Sequence, residues 1–402
     1  MKNYYVLSNG RIKREKNTIY LETADGVKRP IPVEDVDSLY VYGEVDLNTR
    51  LLNFLTQKHI TLHVFNYYGF YAGSYYPREY LHSGYLVVNQ VRHYEDSAAR
   101  MALARELVRA AVHSMLRNVS YYERRKGTSE PRPLLGKESE WEDPAGEIDP
   151  SAPPPPLHSE DGAEVEAAVD AVVSADLLAE GLEATGEAWE SAVDFDGDAP
   201  ALAELRSVIA GLGGLIDGQQ QVAALMGVEG KVRERYYRCW QHILGGDWAF
   251  DRRVRRPPDN EINALISFGN GVLYTACLGE IYRTQLTPTI SYLHEPGARR
   301  FSLALDLSEI FKPLIVDRAI FKLINNGELK ETHFDRGMEG CHLTDAGKKL
   351  FLNALDDRMN ATIKHRRLGR HVSYRHLIRL ECYKLIRHLT GVEPYRAFRA
   401  WW

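Results

Sequence analysis

The spacing of apolar residues changes character once along the chain. Up to residue 80, short runs rich in Tyr, Val and Ile are broken by turn residues: runs at 4–7, 18–22 and 38–42, with Asn9-Gly10 and Asp25-Gly26 between them. Such runs punctuated by Asn-Gly and Asp-Gly predict strands joined in hairpins. Leu51, Leu52, Phe54 and Leu55 then fall on one side of a helix predicted over 47–58, and two more strands are predicted over 61–65 and 68–76. Residues 77–93 read as a connector. From Ser97 the spacing turns helical, with Leu103, Leu107, Val108, Ala111 and Met115 on one face of a helix over 97–124. Further helices are predicted over 219–243, 261–286, 309–325, 345–364 and 373–389, and a short hairpin over 331–343.

The fold class that follows is α+β. A small N-terminal, mainly β domain over 1–80 leads through a linker over 81–96 into a larger, mostly α-helical domain over 97–402, interrupted by a long acidic insertion over 128–206. That segment holds nine of the 18 prolines, three aromatic residues, 21 Asp or Glu and only Arg132, Lys137 and Arg206 as bases, a net of −18. Low hydrophobicity with high net charge predicts disorder, although Val165, Val169 and Val172 keep helical spacing within 163–193. Gly211-Leu212-Gly213-Gly214 has no strand before it and no phosphate-binding lysine after it, so it predicts a hinge where the insertion ends.

The insertion also changes the meaning of the charge. The whole chain carries −5, yet outside 128–206 there are 47 basic against 34 acidic residues, a net of +13. A basic body is the footprint of a polyanionic partner. Arg252, Arg253, Arg255 and Arg256 precede Pro257-Pro258, and Arg366, Arg367 and Arg370 open a C-terminal region where cations alternate with Tyr374, Tyr383 and Tyr395. These are candidate tracks for a DNA backbone. The acidic segment either lies over such a track as a competitor or is a tolerated surface loop, since long insertions cost little closure entropy. The first thirty residues carry Lys2, Arg11, Lys13, Arg14 and Lys16 without an apolar run. No later stretch is expected to reach the roughly 20 apolar residues of a membrane span. Cys239, Cys277, Cys341 and Cys382 form no Cys-x-x-Cys pair. The expectation is a cytoplasmic protein with no membrane partner, whose cysteines are reduced and serve packing.

Three segments carry candidate chemistry. They are Leu-Met-Gly-Val-Glu-Gly ending at Gly230, Tyr-Leu-His-Glu-Pro around His294, and Leu-Ala-Leu-Asp-Leu-Ser-Glu-Ile-Phe-Lys-Pro with Asp306 and Glu309. Carboxylates with a neutral imidazole suit Mg²⁺ or Mn²⁺, and the cysteine pairs or His-Glu-x-x-His helix of a zinc site are missing. Each residue also has a plainer reading. Asp306 and Glu309 could cap the start of a helix, His294 could be a structural turn residue before Pro296, and Glu229 an exposed helical glutamate in an ion pair. Leu303, Leu305 and Leu307 alternate ahead of the expected helix, which puts the acids where an apolar segment enters a core, an expensive place for unpartnered charge.

These segments, with Asn-Ala-Leu-Ile-Ser-Phe-Gly-Asn-Gly over 263–271, resemble the CRISPR-associated integrase family, the nuclease called CRISPR-associated protein one. The resemblance runs to about Arg125 and again from about Ser207 to the end. It implies that Glu229, His294 and Glu309 bind one Mg²⁺ or Mn²⁺, with Asp306 as an accessory acid. It implies insertion of short double-stranded DNA fragments, new spacers, at CRISPR repeat DNA by attack of a 3′-hydroxyl on a phosphodiester, with nuclease activity alongside. It further implies a homodimer formed through the β domain and a complex with a dimer of CRISPR-associated protein two. The chain departs from the family in the length of 128–206, and in Lys231, Val232 and Arg233, which stand where small residues are usual and are expected to alter local DNA contacts. Glu295 is expected to face solvent or to orient Arg299 or Arg300. Two other readings compete: a hydrolytic nuclease of branched DNA in repair, and a non-catalytic DNA-binding scaffold.

Overall fold

The computed structural model describes residues 2–77, 81, 83–127, 198–245, 248, 250, 252–255, 257–297, 301–337, 340–365 and 368–401. The readings made for 128–197 lie outside the described residues.

The N-terminal domain consists of β1 (Lys2–Val6), β2 (Gly10–Glu15), β3 (Thr18–Thr23), β4 (Lys28–Ile31), β5 (Val36–Val41), β6 (Val45–Asp46), α1 (Thr49–Gln57), β7 (Thr61–Phe65) and β8 (Tyr71–Tyr75). They form one sheet in the order β1-β5-β7-β8 and a second in the order β4-β3-β2-β6. The sequence reading missed β2 and β4, because each buries a single apolar side chain, Ile12 and Ile31, and otherwise owes its place to pairing with β3. Gly10 opens β2 at a φ of +151°, where a Cβ would come within 2.2 Å of the Glu22 carbonyl oxygen. Strand β5 is buried on both faces. Its Leu39 and Val41 join Val6, Ile12, Leu51 and Phe54 in the core of this domain, while Tyr40 and Tyr42 point the other way into the core of the helical domain. Tyr42 stacks on Phe65 at 4.3 Å and on Phe268 at 5.5 Å, so one sheet separates two cores.

The rest comprises α2 (Gly84–Glu95), α3 (Ser97–Gly127), α4 (Asp198–Gly214), α5 (Val222–Arg238), α6 (Trp240–Ile243), α7 (Glu261–Tyr282), α8 (Ser302–Lys312), a π-helical turn (Pro313–Asp317) and α9 (Arg318–Asn325). The hairpin of β9 (Phe334–Gly337) and β10 (Gly340–Leu343), α10 (Asp345–Asn360), the pair β11 (Thr362–Lys364) and β12 (His371–Ser373), and α11 (Tyr374–Leu389) complete it. Helix α3 is the central member: α4, α5 and α8 all pack on it, which brings α5 and α8 to the same side of the molecule. All four cysteines are free and buried, as expected.

Several expectations are corrected. The presumed linker 81–96 contains α2, capped by Ser83, whose hydroxyl accepts the Leu86 N–H at 3.3 Å. Its pattern is mixed: Leu86 is buried together with Asn89 and Gln90, while Tyr85, Val88 and Val91 are exposed. The supposed acidic end of the insertion, from Asp198, is helix α4, and Gly211 to Gly214 lie within that helix rather than forming a hinge. A Cβ on Gly213 would lie 3.1 Å from Val112 Cγ1, so this glycine lets α4 approach α3 closely. The predicted helix over 345–364 ends at Asn360, and 362–364 pairs with β12 instead. The helix predicted to open at Glu309 starts at Ser302, so Leu303 and Leu307 are core-facing neighbours at i and i+4 and not the alternation of an extended segment. Proline at 313, which lacks an N–H, coincides with the switch to π-helical bonding. Finally, α7 is, by length and composition alone, apolar enough to cross a membrane, but 72% of its most apolar stretch is buried inside the fold. A helix apolar all round is what a core position requires.

Candidate metal centre

Along α5, Leu225, Val228, Val232 and Tyr236 are buried at helical spacing, which leaves Glu229 and Arg233, four residues apart, together on a flank of the helix. Along α8, Asp306 and Glu309 are one turn apart and both buried. His294 sits in the loop between α7 and α8.

Asp306 sets the shape of that loop. Its Oδ2 accepts the backbone N–H of Tyr292 at 2.7 Å and of Leu293 at 3.0 Å. Its Oδ1 accepts the His294 N–H at 3.0 Å and lies 2.8 Å from His294 Nδ1. With its oxygens engaged and its side chain fully buried, Asp306 holds the imidazole and is spent on the turn, a more specific role than that of an accessory acid. With Nδ1 engaged, Nε2 is the ring nitrogen that could hold a metal. From the other side, Gln90 of α2 makes a two-way amide pair with the backbone of Thr287, at 3.1 and 2.8 Å, and Arg100 of α3 donates to the Tyr292 carbonyl at 3.0 Å. Arg100 also pairs with Glu295 at 2.7 Å, and Tyr94 donates to the same carboxylate at 2.8 Å. Glu295 therefore orients Arg100; Arg299 and Arg300 lie outside the described residues. Burial alone would lower the proton affinity of His294, but the bond to Asp306 and the charges of Asp306 and Glu309 outweigh it and raise the pKa.

The two glutamates meet through a cation. Arg233 Nε donates to Glu229 Oε1 at 2.7 Å, and the same guanidinium donates to Glu309 Oε2. The other oxygen of Glu309 accepts from Lys312 Nζ at 2.5 Å. Burial works against the charge on Glu309, but Arg233 first and Lys312 next overcome it and hold its pKa down at about 2. The donor chemistry fits a hard divalent ion: two carboxylates and an imidazole with a fixed ring orientation. Among the described residues no three Asp, Glu, His or Cys side chains stand gathered as a ligand cluster, and Arg233 occupies the space between the two glutamates.

The proposed DNA tracks are split. Arg252, Arg255 and Arg370 are exposed, the last in the connection between β11 and β12. Arg253 turns inward instead, donating to Asn263 Oδ1 at 3.0 Å and Ser267 Oγ at 2.8 Å, and so braces its loop against the start of α7. Arg256, Arg366 and Arg367 lie outside the described residues.

A family model described as CRISPR associated protein Cas1 matches residues 4–147 and 189–357. The chain belongs to the Cas1 family. The internal gap in the match, 148–188, falls inside the acidic segment. The CRISPR-associated endonuclease Cas1 3 of Thermodesulfovibrio yellowstonii is 42% identical over 402 residues, covering 100% of both chains. The solved structure of a CAS1 protein from Thermotoga maritima is 35% identical, with a TM-score of 0.70 and full coverage of both chains. A casposase bound to its integration product shares the fold, with a TM-score of 0.71 at 17% identity, covering 98% of this chain and 94% of that one.

In this Cas1 chain the ion pair offered as the plainer reading of Glu229 is present, with Arg233, while the sequence reading missed Lys312 as a partner of Glu309. Their offsets of four from Glu229 and three from Glu309 are legible helical pairings. The bond from Arg233 across to Glu309, 76 positions away, carries no sequence signal. Nor does the clasp of Gln90 and Arg100 on the His294 loop.

Proposed function

We propose that this Cas1 chain is a divalent-metal-dependent DNA integrase and endonuclease, joining short double-stranded fragments to CRISPR repeat DNA by attack of a fragment's 3′-hydroxyl on a phosphodiester. The observation that carries this is the meeting of Glu229 and Glu309 from two helices through one guanidinium, with His294 set near Glu309 by Asp306. Glu229, His294 and Glu309 would hold Mg²⁺ or Mn²⁺, which when bound supplies Lewis-acid polarisation of a phosphoryl oxygen and neutralises charge there. Asp306 keeps the imidazole in one orientation. Arg233 and Lys312 put positive charge where a phosphate must come to rest, and Arg252, Arg255 and Arg370 offer exposed contacts for the flanking backbone. Exchange of one phosphodiester for another conserves bond number, so joining needs no triphosphate. With water as nucleophile the same groups serve strand cleavage.

The partners belong to the same reading: a homodimer formed through the β domain, acting in the cytoplasm with a dimer of CRISPR-associated protein two on fragment and repeat DNA. Strand transfer with purified partner, repeat DNA and Mn²⁺ tests it. Glu229→Ala and His294→Ala are expected to abolish joining while leaving DNA binding nearly unchanged. Full joining by both variants would remove the site assignment. Cleavage of branched DNA without any joining by the wild type would favour the repair nuclease, and neither activity would favour the scaffold.

A further inference from the structure

We propose that Arg233 is the exchangeable counter-ion of Glu229 and Glu309, so that a divalent ion and a DNA phosphodiester enter this site together and the guanidinium leaves the carboxylates when they do. This rests on the reading of those glutamates as metal ligands.

The geometry sets up the exchange. The side chains of Glu229, Glu309 and Arg233 are only 17%, 8% and 13% exposed. Two carboxylates so placed repel one another in a medium of low dielectric, and a planar guanidinium with five donors is suited to joining them. Arg233 does so, and Lys312 takes the remaining oxygen of Glu309. The guanidinium thus stands between the two carboxylates, where an ion held by both would lie, so shared coordination and Arg233 compete for the same place. Lys312 sits on the same helix three residues on and, among the described residues, pairs with Glu309 alone. Arg233 spans both glutamates, so it is the group that must move.

Charge then couples metal to substrate. The two carboxylates are already matched by two cations, so a divalent ion brought in alone leaves the enclosed site with excess positive charge. A phosphodiester removes part of that excess and offers the released guanidinium a bidentate partner. Each ligand therefore tightens the other, and linkage makes the two effects equal.

The test is Mn²⁺ binding to the full chain, measured by electron paramagnetic resonance with and without a short DNA duplex, with thermal melts to confirm folding. The wild type is expected to bind Mn²⁺ on the order of tenfold more tightly when the duplex is present, within the usual range of coupling. In Arg233→Gln the affinity for Mn²⁺ alone should rise about tenfold, and most of the enhancement by DNA should vanish. A folded Arg233→Gln protein that binds Mn²⁺ no better than the wild type overturns the proposal. If that variant does not fold, Arg233→Lys decides: a lysine keeps the charge but cannot span both glutamates, so Mn²⁺ affinity should rise, and an equal or lower affinity overturns the exchange. Glu229→Gln separates the two levels of inference. If it leaves Mn²⁺ affinity unchanged, the metal-site reading itself fails, whatever Arg233 does.

Discussion

Asp317, in the π-helical turn behind the candidate centre, is 3% exposed and accepts the Tyr236 hydroxyl at 2.9 Å; that hydroxyl in turn receives the Asn118 amide at 2.9 Å. Burial pushes the Asp317 carboxyl up to about 7, against the opposing pull of Tyr236 and Arg233. The folded protein therefore holds this proton more tightly than the unfolded chain, where the value is about 3.9. The stabilisation from that proton is complete below the unfolded value and is lost as pH rises through about 7. Asp317→Asn keeps an acceptor for Tyr236 and cannot ionise. It should melt above the wild type at pH 8, with the gap closing towards pH 4, and each tenfold in proton affinity is worth about 1.4 kcal/mol. Thermal melts across that range check it, and a gap that does not vary with pH contradicts the burial argument. At this scale Glu229, His294, Asp306 and Glu309 were legible as residue types in a pattern. The division of labour among them was not: nothing in the chain marks Asp306 as the acceptor of three backbone N–H groups, or Arg253 as a brace for Asn263.

At the scale of elements, period was a sound guide where a helix or strand buries an apolar face, and it failed where burial is polar or close approach decides. Helix α2 was read as a connector because its buried face carries Asn89 and Gln90 beside the single apolar Leu86, while Tyr85, Val88 and Val91 are exposed. Glycine was read as a break in α4, although at position 213 it permits contact with α3. The same principle gives a paired prediction in α7. A Cβ at Gly269 would lie 2.6 Å from Val316 Cγ1 and 3.0 Å from Phe351 Cζ, whereas at Gly271 the nearest atom is the Gly69 carbonyl oxygen at 3.8 Å. Gly269→Ala should destabilise by about 1–3 kcal/mol through overpacking. Gly271→Ala should be neutral or stabilise by up to about 1 kcal/mol through helix propensity. Denaturant unfolding followed by circular dichroism separates the two, and equal midpoints would show that α7 has room to shift.

At the scale of the molecule, the β domain is held on the helical domain by a charged clasp as well as by the Tyr42 and Phe268 stack. Asp37, in β5, accepts from Arg283 at 2.7 Å and pairs with Arg375 of α11 at 3.2 Å; Arg375 also reaches Asn3 at 2.7 Å and Asp356 at 3.1 Å. Burial opposes the charge on Asp37, but Arg283 and then Arg375 overcome it and lower its pKa. Asp37→Ala takes the carboxylate from Arg283 and leaves Arg375 with Asp356 and Asn3, and should cost about 1–3 kcal/mol. Hydrogen exchange should show faster opening of β5 and α11 than of α3, and uniform protection would mean that the clasp is not what joins the domains. By itself the sequence determined the order of a β domain before a helical one, the basic character hidden by an acidic segment, and the residue types that suit a divalent ion. Those properties follow from composition and local period, which each stretch of chain carries alone. The tertiary structure alone decided that Arg233 bridges glutamates from two helices, that α2 and α3 clasp the His294 loop, and that one sheet faces two cores. Such contacts join positions tens to hundreds of residues apart, and their energies arise only when packing on α3 removes water from between them.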